Sequence, residues 1–164
     1  MSSPKTSVGP KKKSGKRSAA SSQPPPDPVT FYVDECLGRH VPGELTAAGY
    51  DVRPWYEHFA GRDDAEWLPA IGERGWVLPT KDKDIRRRPL EIEAILNARV
   101  RAFVLTATEL RREEQAAIFL RAMPKIHRIC RRTGPFIFNI TRMGHFAELS
   151  KRVLNRRAGR RFRR

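Results

Sequence analysis

The sequence predicts an α/β domain of three layers, in which helices cover both faces of a mainly parallel central sheet. Short apolar, β-prone runs alternate along the chain with longer stretches whose apolar residues recur at helical spacing. This alternation is typical of strands joined by helical crossovers, which produce a parallel sheet between two helical layers. In the run Arg101–Thr106 the four inner residues, Ala102 to Leu105, are all apolar, as expected for a central parallel strand that is buried on both faces.

The predicted elements follow one another from the first apolar run onward. The strands are Val29–Val33, Tyr50–Pro54, Trp76–Pro79, Arg101–Thr106 and Phe136–Thr141. The helices are Pro42–Ala48, Asp64–Arg74, Pro89–Asn97 and Leu110–Arg132, and a further helix is expected over Phe146–Leu154. Gly49 and Gly75 suit the left-handed position that ends a helix, and Pro89 suits the first helical position.

The net charge of +15 is concentrated near the two ends of the chain. Residues 1–29 hold six basic residues and one acid, for +5, while residues 151–164 hold eight basic residues and no acid, for +8. Residues 30–150 therefore carry only +2. We predict a disordered basic, Pro-rich tail over 1–28, a domain over 29–150 and an Arg-rich tail over 151–164. Such tails suit nucleic acid, an acidic protein partner or solubility alone, and composition does not separate these alternatives.

No segment of the sequence is typical of a membrane protein or of a secreted one. The chain has no apolar run near the ~20 residues that a membrane helix needs, and its basic N-terminus lacks the apolar stretch of a signal peptide. We therefore expect a cytoplasmic protein with no membrane contact. Cys36 and Cys130 lack metal-ligand spacing and are expected to be free thiols.

Carboxylates follow two of the predicted strands directly. Asp34 and Glu35 come after the first strand, and Asp82 and Asp84 follow the third strand through Thr80. Because the carboxyl ends of parallel strands meet at one edge of a sheet, we expect these acids to converge there. Converging carboxylates repel one another unless a divalent cation lies between them. Each acid also has a structural interpretation, because aspartate is common in turns after strands.

Further acids open the helix that begins near residue 64. Asp64 is either a site residue or a helix cap, and Glu66 is either a site residue or a partner of the helix dipole. Mg²⁺ and Mn²⁺ prefer oxygen ligands, so the sequence predicts a metal pocket for one of these ions. The predicted catalytic residues are Asp34, Asp64 and Asp82, and the candidate metal ligands are these three together with Glu35, Glu66 and Asp84.

Basic residues crowd the second acid motif. Beside a metal pocket they would hold substrate phosphates, although a solvated loop that offsets nearby acids is an equal alternative. Arg142 follows the last predicted strand and could reach the same edge of the sheet. The candidate nucleic-acid-binding residues are Lys81, Lys83, Arg86, Arg87, Arg88 and Arg142.

Three segments, taken in order, resemble the PIN-like nucleases, and most closely the VapC-type toxins that begin with an Asp-Glu pair. The segments are Thr30–Glu35, Gly61–Leu68 and Gly75–Ile85, and the similarity extends over roughly residues 29–143. The resemblance implies a small three-layer domain whose three or four acids bind Mg²⁺ or Mn²⁺ and support RNA hydrolysis. By position, Asp34 matches the family's acid after the first strand, and Asp82 matches the acid of its Thr-x-Asp motif. Either Asp64 or Glu66 matches the helical acid. Asp84 matches a fourth acid that broader PIN domains have.

The leading hypothesis is a metal-dependent endoribonuclease that is the toxin of a toxin–antitoxin pair. Its expected partners are an RNA substrate, a cognate antitoxin and a second copy of the chain in a homodimer. One alternative is a catalytically inactive PIN-like domain that binds nucleic acid or an acidic protein through its basic tails. A receiver-like signalling domain also has paired acids after its first strand, but the expected phosphoacceptor and lysine are not separated here as that class requires.

Overall fold

A computed structural model describes residues 28–150, so the two predicted basic tails lie outside the described residues except for Pro28. The strands are β1 (Thr30–Val33), β2 (Asp51–Pro54), β3 (Val77–Thr80), β4 (Arg101–Leu105), β5 (Phe136–Ile140) and β6 (Phe146–Glu148). The helices are α1 (His40–Ala47), α2 (Trp55–His58), α3 (Asp64–Glu73), α4 (Asp84–Arg87), α5 (Pro89–Asn97) and α6 (Arg112–Cys130). A 3₁₀ turn spans Glu35–Leu37. The predicted domain limits and tail disorder stay predictions.

The strands form one six-stranded sheet in the order β2-β1-β3-β4-β5-β6. The first five strands are parallel, and β6 alone runs antiparallel, beside β5. Along the chain, successive strands among these five are connected through at least one helix, as a crossover between parallel strands requires. The predicted three-layer α/β fold with a mainly parallel sheet is therefore confirmed.

Two apolar cores lie on opposite faces of the sheet, as the alternation along β4 shows. Phe103 and Leu105 join the core under α1 and α6, while Ala102 and Val104 join the core under α3, α4 and α5. All four side chains are almost fully buried. Full burial of a large apolar side chain contributes roughly 1.5–3 kcal/mol, so both helical layers are fixed to the sheet mainly through these contacts.

Proline interrupts the ladder between the two strands that carry acids. Pro79 lies in β3, which is an internal strand, and it has no N–H to donate. The β1–β3 ladder pairs only Phe31 with Val77, and the next contact is the Asp34 N–H donating to the Pro79 carbonyl at 3.3 Å. The carboxyl ends of these strands are therefore joined by a single backbone bond just where the acids follow.

Three features differ from the predicted elements. The helix predicted over residues 146–154 is wrong at its start, because Phe146–Glu148 forms β6. Leu149 and Ser150 are helical, as predicted, and residues 151–154 lie outside the described part. The Phe146 ring packs against Phe103 and Phe138, and this tertiary pairing outweighs the helical spacing. The short helices α2 and α4 had not been predicted. No helix among residues 28–150 is long and apolar enough to cross a bilayer.

Candidate active site

Asp34 is held at the carboxyl end of β1 by its neighbours across the sheet. The Thr80 hydroxyl donates to Asp34 Oδ2 at 2.6 Å, and the Cys36 thiol donates to the same oxygen at 3.0 Å. Thr80 is completely buried, and its oxygen also accepts the Asp82 N–H at 3.1 Å. One buried hydroxyl therefore connects the acid after β1 with the acid after β3.

Asp82 turns the chain from β3 into α4. Its Oδ1 accepts the Asp84 N–H at 2.8 Å, a local bond that aspartate commonly makes in a turn. Asp84 itself forms an ion pair with Arg88 at 3.3 Å, one turn later in the chain. The carboxylate of Asp84 is thereby engaged with a cation.

Asp64 is the first residue of α3 and faces the other two acids. The Trp67 indole N–H donates to Asp64 Oδ1 at 2.9 Å. Burial raises the pKa of Asp64, and the negative charges of Asp34 and Asp82 raise it further, while the Trp67 bond opposes the shift. Asp63 occupies the cap position by its backbone, but its side chain makes no capping bond.

Asp34, Asp64 and Asp82 share one arrangement. Each has one carboxylate oxygen that accepts a hydrogen bond from the protein. Thr80 and Cys36 donate to Asp34, Trp67 donates to Asp64, and the Asp84 backbone N–H donates to Asp82. The second oxygen of each makes no hydrogen bond to any group within residues 28–150. Each carboxylate is therefore oriented and still has an oxygen free for a ligand.

A cavity of about 290 Å³ opens between these acids at the carboxyl edge of the sheet, on the side of α3 and α5. Its lining is Asp34, Glu35, Cys36, Asp64, Trp67, Leu68, Leu78, Asp82, Ile85, Glu91 and Ile95. We call this cavity the acid pocket. Among the predicted ligands, Glu66 and Asp84 do not line it. Glu91 does, although it had not been predicted as a site residue, because an acid in the first turn of a helix ordinarily indicates interaction with the dipole.

The donor chemistry of the acid pocket fits a hard divalent cation, since Asp34, Asp64 and Asp82 offer carboxylate oxygens. In the described range, however, no three potential ligands are close enough together to hold a metal as the side chains stand. The charges of Asp34 and Asp82, which add to the effect of burial in raising the pKa of Asp64, are the repulsion that a cation would offset.

Two further ionisable groups adjoin the acids and stay neutral. Burial, followed by the charge of Asp34, raises the pKa of the Cys36 thiol to about 12, so the thiol keeps the proton that it donates to Asp34. Burial also raises the pKa of Tyr32 above its usual range, with Asp34, Asp64 and Glu35 adding to the shift. Cys36 is a free thiol, as predicted, and so is Cys130.

The basic residues after β3 are partly engaged within the protein. Lys81 Nζ donates to Gln115 Oε1 at 3.5 Å, and Arg88 pairs with Asp84. The Nε of Arg86 is buried and has no hydrogen-bond partner. Gln115 is itself buried in α6, and no sequence motif predicted its contact with Lys81.

The remaining predicted nucleic-acid contacts are solvent-exposed. Lys83 and Arg87 lie at the start and end of α4, and Arg142 lies in the turn after β5. Since β5 is parallel to β3, Arg142 emerges at the same edge of the sheet as the acid pocket. A role in binding nucleic acid stays a prediction for all six residues.

Comparison with known proteins agrees with this geometry. A family model described as a PIN like domain matches residues 29–107, the range that contains all five acids of the acid pocket. A protein of Mycobacterium tuberculosis named "Putative ribonuclease VapC45" is 30% identical over 116 residues, which are 67% of this chain and 84% of that protein. The chain belongs to the PIN-like domain family. The predicted resemblance to VapC-type PIN-like nucleases is confirmed, and no solved structure matches the chain.

Proposed function

We propose that this PIN-like protein is a metal-dependent endoribonuclease and the toxin of a toxin–antitoxin pair. The observation that carries the proposal is that Asp34, Asp64 and Asp82, from three separate elements, line one pocket with a free oxygen each. The similarity to a protein named as a ribonuclease supports RNA as the substrate and a cognate antitoxin as the partner.

Asp34, Asp64 and Asp82 would hold the cation, for which Mg²⁺ and Mn²⁺ are the expected ions. When bound, such an ion supplies Lewis-acid stabilisation of charge on the phosphodiester and lowers the pKa of water. Thr80 and Trp67 keep the carboxylates oriented, which avoids a rearrangement cost at the moment of reaction. Glu35 and Glu91 add negative charge at the rim.

The remaining predicted ligands have weaker support. Glu66 is exposed and lies outside the acid pocket, so Asp64 is the helical acid that we assign to the site. Asp84 is paired with Arg88 and contributes through its backbone N–H, which orients Asp82. A homodimer stays a prediction. The catalytically inactive alternative gives no role to three oriented carboxylates, and no observation favours it.

The test is cleavage of a fluorogenic single-stranded RNA by Asp34→Asn, Asp64→Asn and Asp82→Asn. Each should lose roughly a hundredfold or more in rate, as when one preorganised electrostatic group is removed. Asp63→Asn, a neighbouring acid outside the acid pocket, is the matched control and should retain most of the activity. Chelation should abolish cleavage, and Mg²⁺ or Mn²⁺ should restore it.

Thermal unfolding separates loss of chemistry from loss of fold. Because burial and the charges of Asp34 and Asp82 disfavour the charged form of Asp64, Asp64→Asn should unfold at the same temperature as the native protein or higher. In Asp34→Asn and Asp82→Asn the amide oxygen can still accept the native hydrogen bonds, so both variants should stay folded at the assay temperature. Unchanged cleavage by Asp34→Asn and Asp82→Asn would refute the site. The toxin role predicts growth arrest on expression, relieved by co-expression of the neighbouring reading frame, and normal growth would contradict it.

A further inference from the structure

The carboxyl end of β2 places an aromatic pair beside the acid pocket. The β1–β2 register pairs Tyr32 with Arg53 and Val33 with Pro54, so the residues that follow are Asp34 and Trp55. Adjacent strands lie about 4.8 Å apart, which puts the Trp55 backbone one strand away from that of Asp34. Trp55 packs against the core cluster of Tyr32 and therefore lies on the same side of the sheet as the acid pocket.

The Arg39 guanidinium lies over this aromatic pair. Its guanidinium carbon is 4.2 Å from the centre of the Tyr56 ring and 5.9 Å from that of Trp55, and the two rings meet edge to face. A guanidinium over an aromatic face gains roughly 0.5–1 kcal/mol at an exposed site, and the ring does not consume its N–H donors, which lie in the guanidinium's own plane.

Arg39 also differs from the cations near the acid pocket that have partners. The side chain is exposed, and it forms no ion pair or hydrogen bond with any group in the described range 28–150. Lys81 and Arg88, by contrast, are engaged by Gln115 and Asp84. A stacked arginine with a free fork suits a phosphate, which accepts two parallel N–H bonds from it.

We propose that Arg39, held in place by Tyr56 and Trp55, is a binding residue for a backbone phosphate of single-stranded nucleic acid that enters the acid pocket from the β2 side. The inference rests on the proposed function for its substrate class. It places a phosphate contact on the opposite side of Asp34 from the basic residues after β3. A single-stranded nucleic acid that crosses the carboxyl edge of the sheet would then contact basic side chains on both sides of the acids.

The experiment measures binding in an Asp34→Asn background, so that cleavage does not enter. Fluorescence anisotropy with a short fluorescein-labelled RNA of mixed sequence gives the affinity as salt is varied. Arg39→Ala should weaken binding roughly tenfold and lower the salt slope by about one phosphate contact. Arg128→Ala, which removes the same charge from the last turn of α6 at the opposite edge, should change neither.

Two further variants test the stacking rather than the charge. Arg39→Lys retains the cation but loses the planar fork, and Tyr56→Leu retains Arg39 but removes the ring beneath it. Each should weaken binding severalfold with little change in the salt slope. The proposal would be overturned if Arg39→Ala bound RNA with the same affinity and the same salt slope as the parent. It would also be overturned if Arg128→Ala lost as much RNA affinity as Arg39→Ala.

The outcome is separable from that of the proposed function. If the native protein proves unable to cleave RNA while Arg39→Ala still weakens RNA binding, the phosphate contact stands and the nuclease proposal fails. If cleavage depends on the acids while Arg39 has no effect on binding, the phosphate contact fails alone.

Discussion

The substitution Thr80→Val tests whether one buried hydroxyl organises the acid pocket. Valine has nearly the same shape, so the change removes the donor to Asp34 at 2.6 Å and the acceptor of the Asp82 N–H while leaving the packing volume intact. A hydrogen bond to a charged group contributes roughly 1.5–3 kcal/mol, and a buried unpaired N–H costs at least ~1 kcal/mol. Because Asp34 is only partly buried, we expect a loss of about 2 kcal/mol in the free energy of unfolding.

Urea unfolding followed by fluorescence of the three tryptophans measures this loss. The midpoint should fall at an unchanged slope, because the surface exposed on unfolding is the same. Thr80→Ser keeps the hydroxyl and should recover most of the difference. RNA cleavage by Thr80→Val should also fall, because Asp34 then retains only the weak thiol donor of Cys36.

Thr30→Val is the matched control for this experiment. The Thr30 hydroxyl donates to Asp51 Oδ2 at 2.7 Å, which is again a threonine–carboxylate bond, but at the opposite end of β1. This variant should lose less stability, because Thr30 is only partly buried whereas Thr80 is completely buried, and it should cleave RNA normally. If Thr80→Val proved no less stable and no less active than Thr30→Val, the organising role of Thr80 would be refuted.

Two further predictions concern positions away from the acid pocket. Gly72→Ala should lower the free energy of unfolding by several kcal/mol, because the added Cβ would overlap the backbone carbonyl of Ala98. Gly43→Ala is the control: its added Cβ meets nothing within 4 Å, so it should raise the free energy of unfolding by roughly 0.5–1 kcal/mol. Urea unfolding measures both changes. Burial lowers the pKa of His127 in the folded protein. Below pH ~6.5 the unfolded chain therefore binds a proton more readily than the folded chain does, and the free energy of unfolding should fall as the pH is lowered. His127→Phe should flatten that fall, and an unchanged pH profile would contradict this cause.

The sequence was sufficient where one local signal decides the structure. The buried run of β4 and the strand-ending positions of Asp34 and Asp82 follow from apolar patterning and from the geometry of parallel sheets. The start of α3 at Asp64 follows equally from cap and dipole preferences. The positions of these acids at two strand ends and at a helix start therefore follow from the sequence, while their roles stay predictions.

The sequence failed where tertiary contacts decide the structure. The residues of β6 have apolar spacing that fits a helix, but the edge of β5 and the ring of Phe138 draw them into the sheet. Glu91 and Cys36 join the acid pocket through the packing of α5 and of the 3₁₀ turn, which no motif specifies. Which of Asp64 and Glu66 faces the acid pocket likewise depends on which face of α3 packs against the sheet.

The reversal of direction at β6 places Ser150 at the same edge of the sheet as Pro28. Ser150 Oγ accepts the Ile137 N–H at 3.3 Å, which places it near the start of β5, and Pro28 precedes the start of β1. Both residues therefore lie at the amino edge of the sheet, and the acid pocket opens at the other edge. A fluorophore or surface tether attached at the exposed position 28 would leave the mouth of the acid pocket facing solution. On the proposed function, protein immobilised in this way should cleave RNA as readily as free protein.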